Sequence, residues 1–403
     1  MRIPTRKTIR DTLGIILLFV ILFFSIKAAL EFHAKREERR EKERQEQEVT
    51  QFIQTRLDAA NQENDADPFG DDNIVHVLLI GLDKRVGQTS AHCDAIQLFE
   101  INKETNTVNI TAVPRGTYSP LPPGKGTTSS DYYVSNACGL GGIEYGIKQI
   151  ESILGQQADY LVFVGFSEAL GVFRTLKLPT VETLEWLRHR QGYAIGEPQR
   201  AHNHSTFLKK MLVDYLPAQD SAIDTPLQYL IYNIIETDLS FSQTQQIIDA
   251  LIAMELSTKP ERITLAMKPF YAVQDIAYDP TTLDEYRHRM FDPISSRLSK
   301  KDFTQLTTEE IQAQIVASIE EKKNDAEFMA WAWENDVWHQ IQDEAIREEI
   351  HYTLFTTYLS TLSDVTAKQQ AIADYILETD YLGLTQWSDK GKALLSELLS
   401  TKE

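Results

Sequence analysis

"DAIQLFEINKETNTVNITAVPRGTYS", residues 94–119, is the stretch that decides the fold. Its two apolar runs, at 94–101 and 107–113, flank a polar turn and predict a hairpin of two strands. The second strand stops at Pro114, and Arg115 follows in a Gly-Thr-Tyr loop. A buried apolar run at 74–82 precedes the hairpin, so this part of the chain predicts three consecutive strands of one sheet.

Helical and strand patterns alternate after the hairpin. Ile143, Ile147, Ile150 and Leu154 form one apolar stripe and predict an amphipathic helix. The remaining predicted elements are strands at 160–166, 184–190 and 262–267, and helices at 167–176, 205–215, 226–235 and 242–256. This alternation predicts an α/β fold, a layered α-β-α domain with a central mixed sheet, over residues 73–275.

Charged residues are predicted to collect at one edge of this sheet. The first strand runs up to Asp83, the second begins at that end with Asp94, and the third returns to it and delivers Arg115. Ligands of open α/β sheets bind at such edges. Each residue taken alone also fits a turn, a helix cap or a surface ion pair. The three together favour a binding site for an anion and a cation.

A second group of cations is predicted nearby. Arg188 and Arg190 lie two residues apart, so in a strand both side chains would face the same way. Two parallel guanidinium groups suit phosphate oxygens, and Arg200 adds a third. Magnesium is usually held by one or two carboxylates together with substrate phosphates. Asp83 and Asp94 match that count as metal ligands.

The amino-terminal region predicts a membrane anchor. An apolar run follows a basic tail and makes residues 12–30 a transmembrane helix, about 27 Å long at roughly 1.5 Å per residue. Because the basic flank comes first, residues 1–11 should be cytoplasmic and the bulk of the chain extracytoplasmic. A cleaved signal peptide is the alternative reading. Residues 31–72 have mixed charges and predict a charged helical stalk and linker.

The overall charge and the carboxy-terminal region restrict the partners. A formal net charge of −19 argues against nucleic acid, whose phosphates require clustered Lys and Arg. Residues 300–403 are helix-patterned throughout and predict an all-helical extension, which is a candidate site for a protein partner. Trp331, Trp333 and Trp338 have near-helical spacing there, which favours packing over sugar binding.

The chain has two cysteines, Cys93 and Cys138, and neither belongs to a spacing typical of zinc sites. Outside the cytoplasm they could form a disulfide. Two separate buried thiols are the alternative.

Several motifs resemble those of the LytR-CpsA-Psr family. They are, in order, "VHVLLIGLDKR", "CDAIQLFEINKETNTVNITAVPRGTY", "SNACGLGGIEYGIKQIESILGQQADYLVFVGFSEALGVFRTL" and "LRHRQGYAIGEPQRAHNHSTFLKK". A later stretch, "LQYLIYNIIETDLSFSQTQQIIDALIAMEL", is similar to the last helical part of that family. The resemblance covers about residues 73–270 and keeps the order and spacing of the motifs.

The resemblance implies a membrane-anchored cell-envelope protein that binds polyprenyl-(pyro)phosphate lipid. Family members use Mg²⁺ to transfer the lipid-linked glycopolymer to peptidoglycan or another cell-wall acceptor, and their acyl chain lies in a hydrophobic tunnel. Carried over by motif, Arg115 and Asp94 are the catalytic residues and Asp83 and Asp94 the metal ligands. The implied phosphate ligands are Arg115, Arg188, Arg190 and Arg200.

The chain departs from the family pattern at several basic positions. His92 stands where the family usually has arginine, Gly116 where it has aspartate, and Val134 near the place of a lysine. The late family motif RxxRQ is reduced to Arg200, Asn203 and His204. Protonated histidines could substitute in part, although histidine is only marginally charged near neutral pH. The alternative function is therefore a lipid-phosphate-binding or scaffolding protein without turnover, whose carboxy-terminal helices recruit partners.

Overall fold

The computed structural model describes Thr55 and residues 66–83, 92–189, 196–216, 225–283 and 308–400. The predicted tail, transmembrane helix and most of the stalk lie outside these residues, as does Arg190. Within the described residues, no helix is both long and apolar enough to cross a membrane.

A six-stranded mixed sheet forms the centre of the fold, in the order β5-β4-β1-β2-β3-β6. The three strands predicted at the start, β1, β2 and β3, pair antiparallel as consecutive neighbours. β4 joins β1 and β6 joins β3 in parallel, and β5 closes one side antiparallel to β4. The strand bounds are Ile74–Asp83 (β1), His92–Asn102 (β2), Thr107–Ala112 (β3), Tyr160–Val164 (β4), Glu236–Thr237 (β5) and Ile263–Met267 (β6). The predicted mixed sheet is confirmed.

Helices cover both faces of the sheet. Those of the sheet domain are Val134–Gly141 (α1), Ile143–Leu154 (α2), Phe166–Thr175 (α3), Thr180–Arg188 (α4), Gly196–Tyr215 (α5), Thr225–Ile234 (α6) and Phe241–Ala253 (α7). Alternation along β1 directs Leu78 and Ile80 into the core beside α2, while Val75 and Val77 face the opposite core beneath α7. This two-faced burial produces the three layers, because a strand presents successive side chains to opposite sides.

Cys93 and Cys138 form a disulfide that ties the start of β2 to α1. Both residues are buried in the core between the sheet and α2. Of the two arrangements that the sequence left open, a disulfide or two separate thiols, the structure contains the disulfide.

The strand predicted at 184–190 is wrong, because residues 180–188 form helix α4. Tertiary packing explains the difference: Thr183 and Trp186, three residues apart, are both buried on the same side of this helix. The Thr183 hydroxyl also hydrogen-bonds the Tyr278 hydroxyl at 2.6 Å. Arg188 thus ends a helix and does not lie in a strand.

The carboxy-terminal helical unit, residues 308–400, packs against the sheet domain. Its helices are Thr308–Lys322 (α8), Ala326–Glu334 (α9), Glu344–Thr361 (α10), Val365–Tyr381 (α11) and Thr385–Ser400 (α12), with a 3₁₀ turn at Val337–Gln340. Trp333 and Trp338 stack on each other and on His351 inside this unit. The predicted packing role of these two tryptophans therefore agrees with the structure.

Candidate functional site

A β-bulge at the start of β2 places Asp94. Gly81 of β1 pairs with Ala95, and the next residue, Leu82, pairs with Cys93, so Asp94 is the extra residue. Regular alternation would put Asp94 on the same face as Ile96, in the core beside α2. The bulge instead directs Asp94 and Ala95 together to the opposite face, where both line a cavity. Bulges often re-aim a side chain next to a functional site.

Arg115 meets Asp94 at this edge, as the strand directions predicted. Arg115 Nη1 donates to Asp94 Oδ1 at 2.5 Å, and each side chain is about one quarter exposed, 26% and 25%. The loop that carries Arg115 is held by the amide of Ser135, which donates to the Arg115 carbonyl at 3.1 Å. The pair is therefore well positioned yet accessible from the cavity.

The cavity has a volume of about 700 Å³ and lies between the sheet and helices α3 to α6. Its walls are predominantly apolar. They are formed by Leu79, Leu82, Val162, Val164, Phe166, Ala169, Val172, Phe173, Leu176, Leu184, Leu187, Phe207, Leu208, Met211, Ile231 and Ile235. The charged residues on its lining are Asp94, Arg115, Arg188 and Arg200. A volume of this size and a mostly apolar lining are typical of sites for small molecules and lipid chains.

Helix α5 shows how polar and apolar linings are separated. Arg200, His204, Phe207 and Met211 all line the cavity and lie on one stripe of this helix. Arg200 and His204 are near its amino-terminal end, and the apolar residues come later. At about 1.5 Å per residue, Arg200 and Met211 are about 16 Å apart along the helix axis. The cavity therefore has a cationic end and a long apolar end.

Arg200 and Arg188 complete the cationic end. Arg200 is buried and donates to the backbone carbonyl of Asp94 at 3.4 Å, and it pairs with Glu197 at 3.0 Å. The Arg188 guanidinium lies 5.6 Å from the centre of the Phe166 ring. Such a cation–π contact positions the charge at the lip of the apolar wall. Asp94, Arg115, Arg188 and Arg200 are thus brought to one cavity.

His204 does not supply a further cation at neutral pH. Burial, reinforced by the nearby Arg200 charge, lowers the pKa of His204 to about 4. Its Nε2–H donates to the Leu187 carbonyl at 2.8 Å, which requires only the neutral ring. The expectation that this histidine could substitute in part for the missing basic ligands when protonated therefore fails above about pH 5.

The structure does not describe the side chains of Asp83 and Arg190. The backbone of Asp83 pairs with that of His92 at the end of β1, but its side chain lies outside the described part, as does all of Arg190.

Sequence reasoning also missed Gln97, which is buried and ties β2 to α5. Its Nε2 donates to the Ala201 carbonyl at 3.0 Å, and Ser205 Oγ donates to its Oε1 at 2.7 Å. A glutamine inside an apolar strand was the signal available for it.

On the cavity lining a divalent cation would find one described carboxylate, that of Asp94. In the described ranges, no group of three or more His, Cys, Asp or Glu residues is arranged to hold a metal ion. Magnesium needs only one or two carboxylates when phosphates supply the other ligands. The described carboxylate, that of Asp94, therefore fits a cation that arrives with a phosphorylated ligand.

Residues 24–170 match the model of the LytR_cpsA_psr family. Among curated proteins it is similar to TagU of Bacillus subtilis (strain 168), a polyisoprenyl-teichoic acid–peptidoglycan teichoic acid transferase. The two are 29% identical over 134 residues, which are 33% of this chain and 40% of TagU. The matched part is thus less than half of that relative.

Solved structures with a similar fold include TagV of B. subtilis, 14% identical, covering 54% of this chain and 96% of that one, with a TM-score of 0.41. Another is TagT bound to LIIa-WTA, which is 17% identical. The match covers 57% of this chain and 93% of that one, with a TM-score of 0.36.

Proposed function

We propose that this chain binds a polyprenyl phosphate or diphosphate lipid and transfers the attached glycopolymer to peptidoglycan or another envelope acceptor. The observation that carries the proposal is the apolar cavity of about 700 Å³ with three arginines on its lining. An isoprenoid chain suits the apolar walls, because burial of apolar surface is favourable at roughly 25 cal/mol per Å². The match of residues 24–170 to the LytR_cpsA_psr family model and the similarity to TagU, a teichoic acid transferase, support the same conclusion.

The arginines would hold the diphosphate. Arg188 and Arg115 are the more accessible cations, and buried Arg200 holds the Asp94 backbone in place. Guanidinium groups are matched to phosphate oxygens in both charge and geometry. In phosphoryl transfer the protein acts mainly by positioning and by stabilising charge. A magnesium ion, when bound with the ligand, would neutralise phosphate charge beside Asp94.

The proposed transfer exchanges the phosphoanhydride bond of the polyprenyl diphosphate for a phosphodiester bond to the acceptor. An acceptor hydroxyl oxygen forms a bond to the phosphorus that carries the glycan, and the bond from that phosphorus to the bridging oxygen breaks. Polyprenyl monophosphate leaves with the bond electrons, and Arg115 stabilises its charge. The hydroxyl proton passes to a base, a role that we assign to Asp94 as the carboxylate at the cationic end.

A second candidate is lipid-phosphate binding without turnover, with partners recruited by the carboxy-terminal helices. The specific observation in its favour is that His204 is neutral and that Asp94 is already paired with Arg115. Both candidates predict binding, and only the first predicts transfer. In either case we propose that residues 12–30 anchor the chain in the cell membrane with its bulk outside.

Binding of geranylgeranyl diphosphate to the full chain in detergent tests the proposal. Arg188→Ala and Arg115→Ala should each weaken binding about 10- to 100-fold, because each removes a charge-assisted contact of about 1.5–3 kcal/mol. Lys148→Ala is the matched control, since Lys148 is exposed on α2 at the opposite face of the sheet. Unchanged binding in both arginine variants would count against the site. Mass spectrometry of the purified protein is a second test. Both candidate functions predict a co-purifying polyprenyl phosphate lipid, and a cavity without lipid would count against both.

A further inference from the structure

Helix α3 forms a wall only one helix thick between the cavity and the carboxy-terminal helical unit. Ala169, Phe173 and Leu176 line the cavity. At about 100° per residue, these side chains fall within about 60° of one another around the helix. Ser167, Gly171 and Arg174 form a second stripe about half a turn away. The two faces of α3 therefore meet different parts of the molecule.

The second stripe of α3 is held by the 3₁₀ turn Val337–Gln340 and the residue after it. Gln340 Nε2 donates to Ser167 Oγ at 2.9 Å, and Arg174 Nη2 donates to the Ile341 carbonyl at 3.1 Å. Arg174 Nη1 also lies 3.3 Å from His339 Nδ1. Burial, with the Arg174 charge beside it, lowers the pKa of His339, so its neutral ring accepts this hydrogen bond.

Gly171 is the point of closest approach. A Cβ placed at Gly171 would lie 2.8 Å from His339 Nε2 and 3.0 Å from its Cδ2. His339 is 5% exposed, so its ring has little room to move away. A side chain at this position would separate the turn from α3, and the glycine permits the close contact.

Helix α6 has the same arrangement. Ile231 lines the cavity, while the Tyr229 hydroxyl donates to Asp374 Oδ1 of α11 at 3.1 Å. Leu377 of α11 packs on the small core of Tyr229 and Phe241. Two walls of the cavity are thus supported from behind by the carboxy-terminal helical unit.

We propose that the carboxy-terminal helical unit holds the cavity open, with Gly171, Arg174 and Gln340 as positioning residues, so that docking of this unit and occupancy of the cavity are coupled. Without the outer contacts, α3 and α6 are free to close on the cavity, because apolar walls gain by burying each other. Coupling is reciprocal, so a ligand chain between the walls also stabilises the docked unit. The identity of the ligand rests on the proposed function, but the coupling does not.

Amide hydrogen exchange of the ligand-free full chain tests the coupling directly. Gly171→Leu should speed exchange in α3 and α6 about tenfold, within the usual range of such couplings. Leucine favours helix more than glycine does, so a purely local effect would slow exchange. Adding His339→Ala should relieve the wedge and restore slow exchange. Lys392→Ala, which breaks a surface ion pair with Asp380 on the same unit, is the control and should change nothing.

Ligand binding gives the second measurement. Gly171→Leu should weaken geranylgeranyl diphosphate and the uncharged geranylgeraniol alike, about tenfold, because the walls contact the chain and not the phosphate. Gln340→Ala removes the hydrogen bond to Ser167 and should also weaken lipid binding, by a smaller factor. This variant keeps the proposal testable if Gly171→Leu does not fold.

The outcomes separate the two proposals. Unchanged exchange in α3 and α6, or no rescue by His339→Ala, overturns the coupling whatever lipid binds. If the wild type binds the lipids and Gly171→Leu binds them with affinities within twofold of the wild type, the coupling is also overturned and the proposed function stands. The expected exchange pattern with no binding of either lipid supports the coupling and rejects the proposed function.

Discussion

Arg115 Nη1 lies 2.5 Å from Asp94 Oδ1, although the two residues are 21 positions apart and on different strands. The contact forms because β2 begins and β3 ends at the same edge of the sheet, and because a bulge turns Asp94 toward the cavity. A carboxylate beside an arginine can orient the guanidinium for phosphate. It can also accept a proton or contribute to a cation site, and these roles differ in what a substitution does.

Asp94→Asn should separate binding from transfer. The amide keeps the shape and removes the negative charge, so geranylgeranyl diphosphate should bind as well as or better than in the wild type. Glycopolymer transfer should fall about 100-fold or more, the usual contribution of general acid–base catalysis. A coupled assay with a lipid-linked glycan measures this. Asp275→Asn is the control, since Asp275 pairs with His202 at the surface. Full transfer by Asp94→Asn would remove Asp94 from the chemistry.

The pKa of His204 predicts acid sensitivity. Because the folded pKa is about 4 and the ordinary value 6.5, the unfolded chain binds the proton first as the pH falls. The stability contributed by neutral His204 is therefore complete above pH 6.5 and is lost between about 6.5 and 4. The full shift corresponds to at most ~3 kcal/mol. His204→Gln can still donate to the Leu187 carbonyl and should flatten the dependence of Tm on pH in this window. An identical pH profile would show that His204 titrates normally.

Asp336 makes the opposite prediction. It is half-buried in a left-handed conformation, φ 47°, at the start of the 3₁₀ turn. Burial first, and then the Glu168 charge, raise the pKa of its carboxyl well above 3.8. Stability is therefore full below the unfolded pKa and falls as the pH rises toward the folded value.

Asp336→Asn should consequently raise Tm at pH 7, since asparagine also tolerates this backbone conformation. The advantage should shrink as the pH approaches 4, where both side chains are uncharged. A lower Tm for the variant at pH 7 would mean that the carboxylate is stabilised by its surroundings.

The disulfide between Cys93 and Cys138 should contribute substantially to stability. It closes a loop across 45 positions, for which chain entropy predicts about 4 kcal/mol. Cys138→Ser should lower the urea midpoint accordingly, and reductant should lower that of the wild type and not that of the variant. Non-reducing mass spectrometry provides the direct check, where two free thiols in the native protein would contradict the bond.

The sequence alone determined the strands of the first hairpin and the edge at which Arg115 appears. Those conclusions need only local alternation and the reversal of direction in a short turn, which act between near neighbours in the chain. It also placed Asp94 at the same edge as Arg115, because the second strand begins at the edge where the third strand ends.

Only the tertiary structure decided how these residues are used. The bulge opposite Gly81 arises from pairing between two strands, and without it Asp94 would face the core beside α2. Helix α4 replaces a predicted strand because Thr183 and Trp186 are buried together. The close contact between Gly171 of α3 and His339 joins two residues that are 168 positions apart in the chain. Contacts of this kind depend on shape and burial summed over the whole fold, and no local pattern in the chain encodes them.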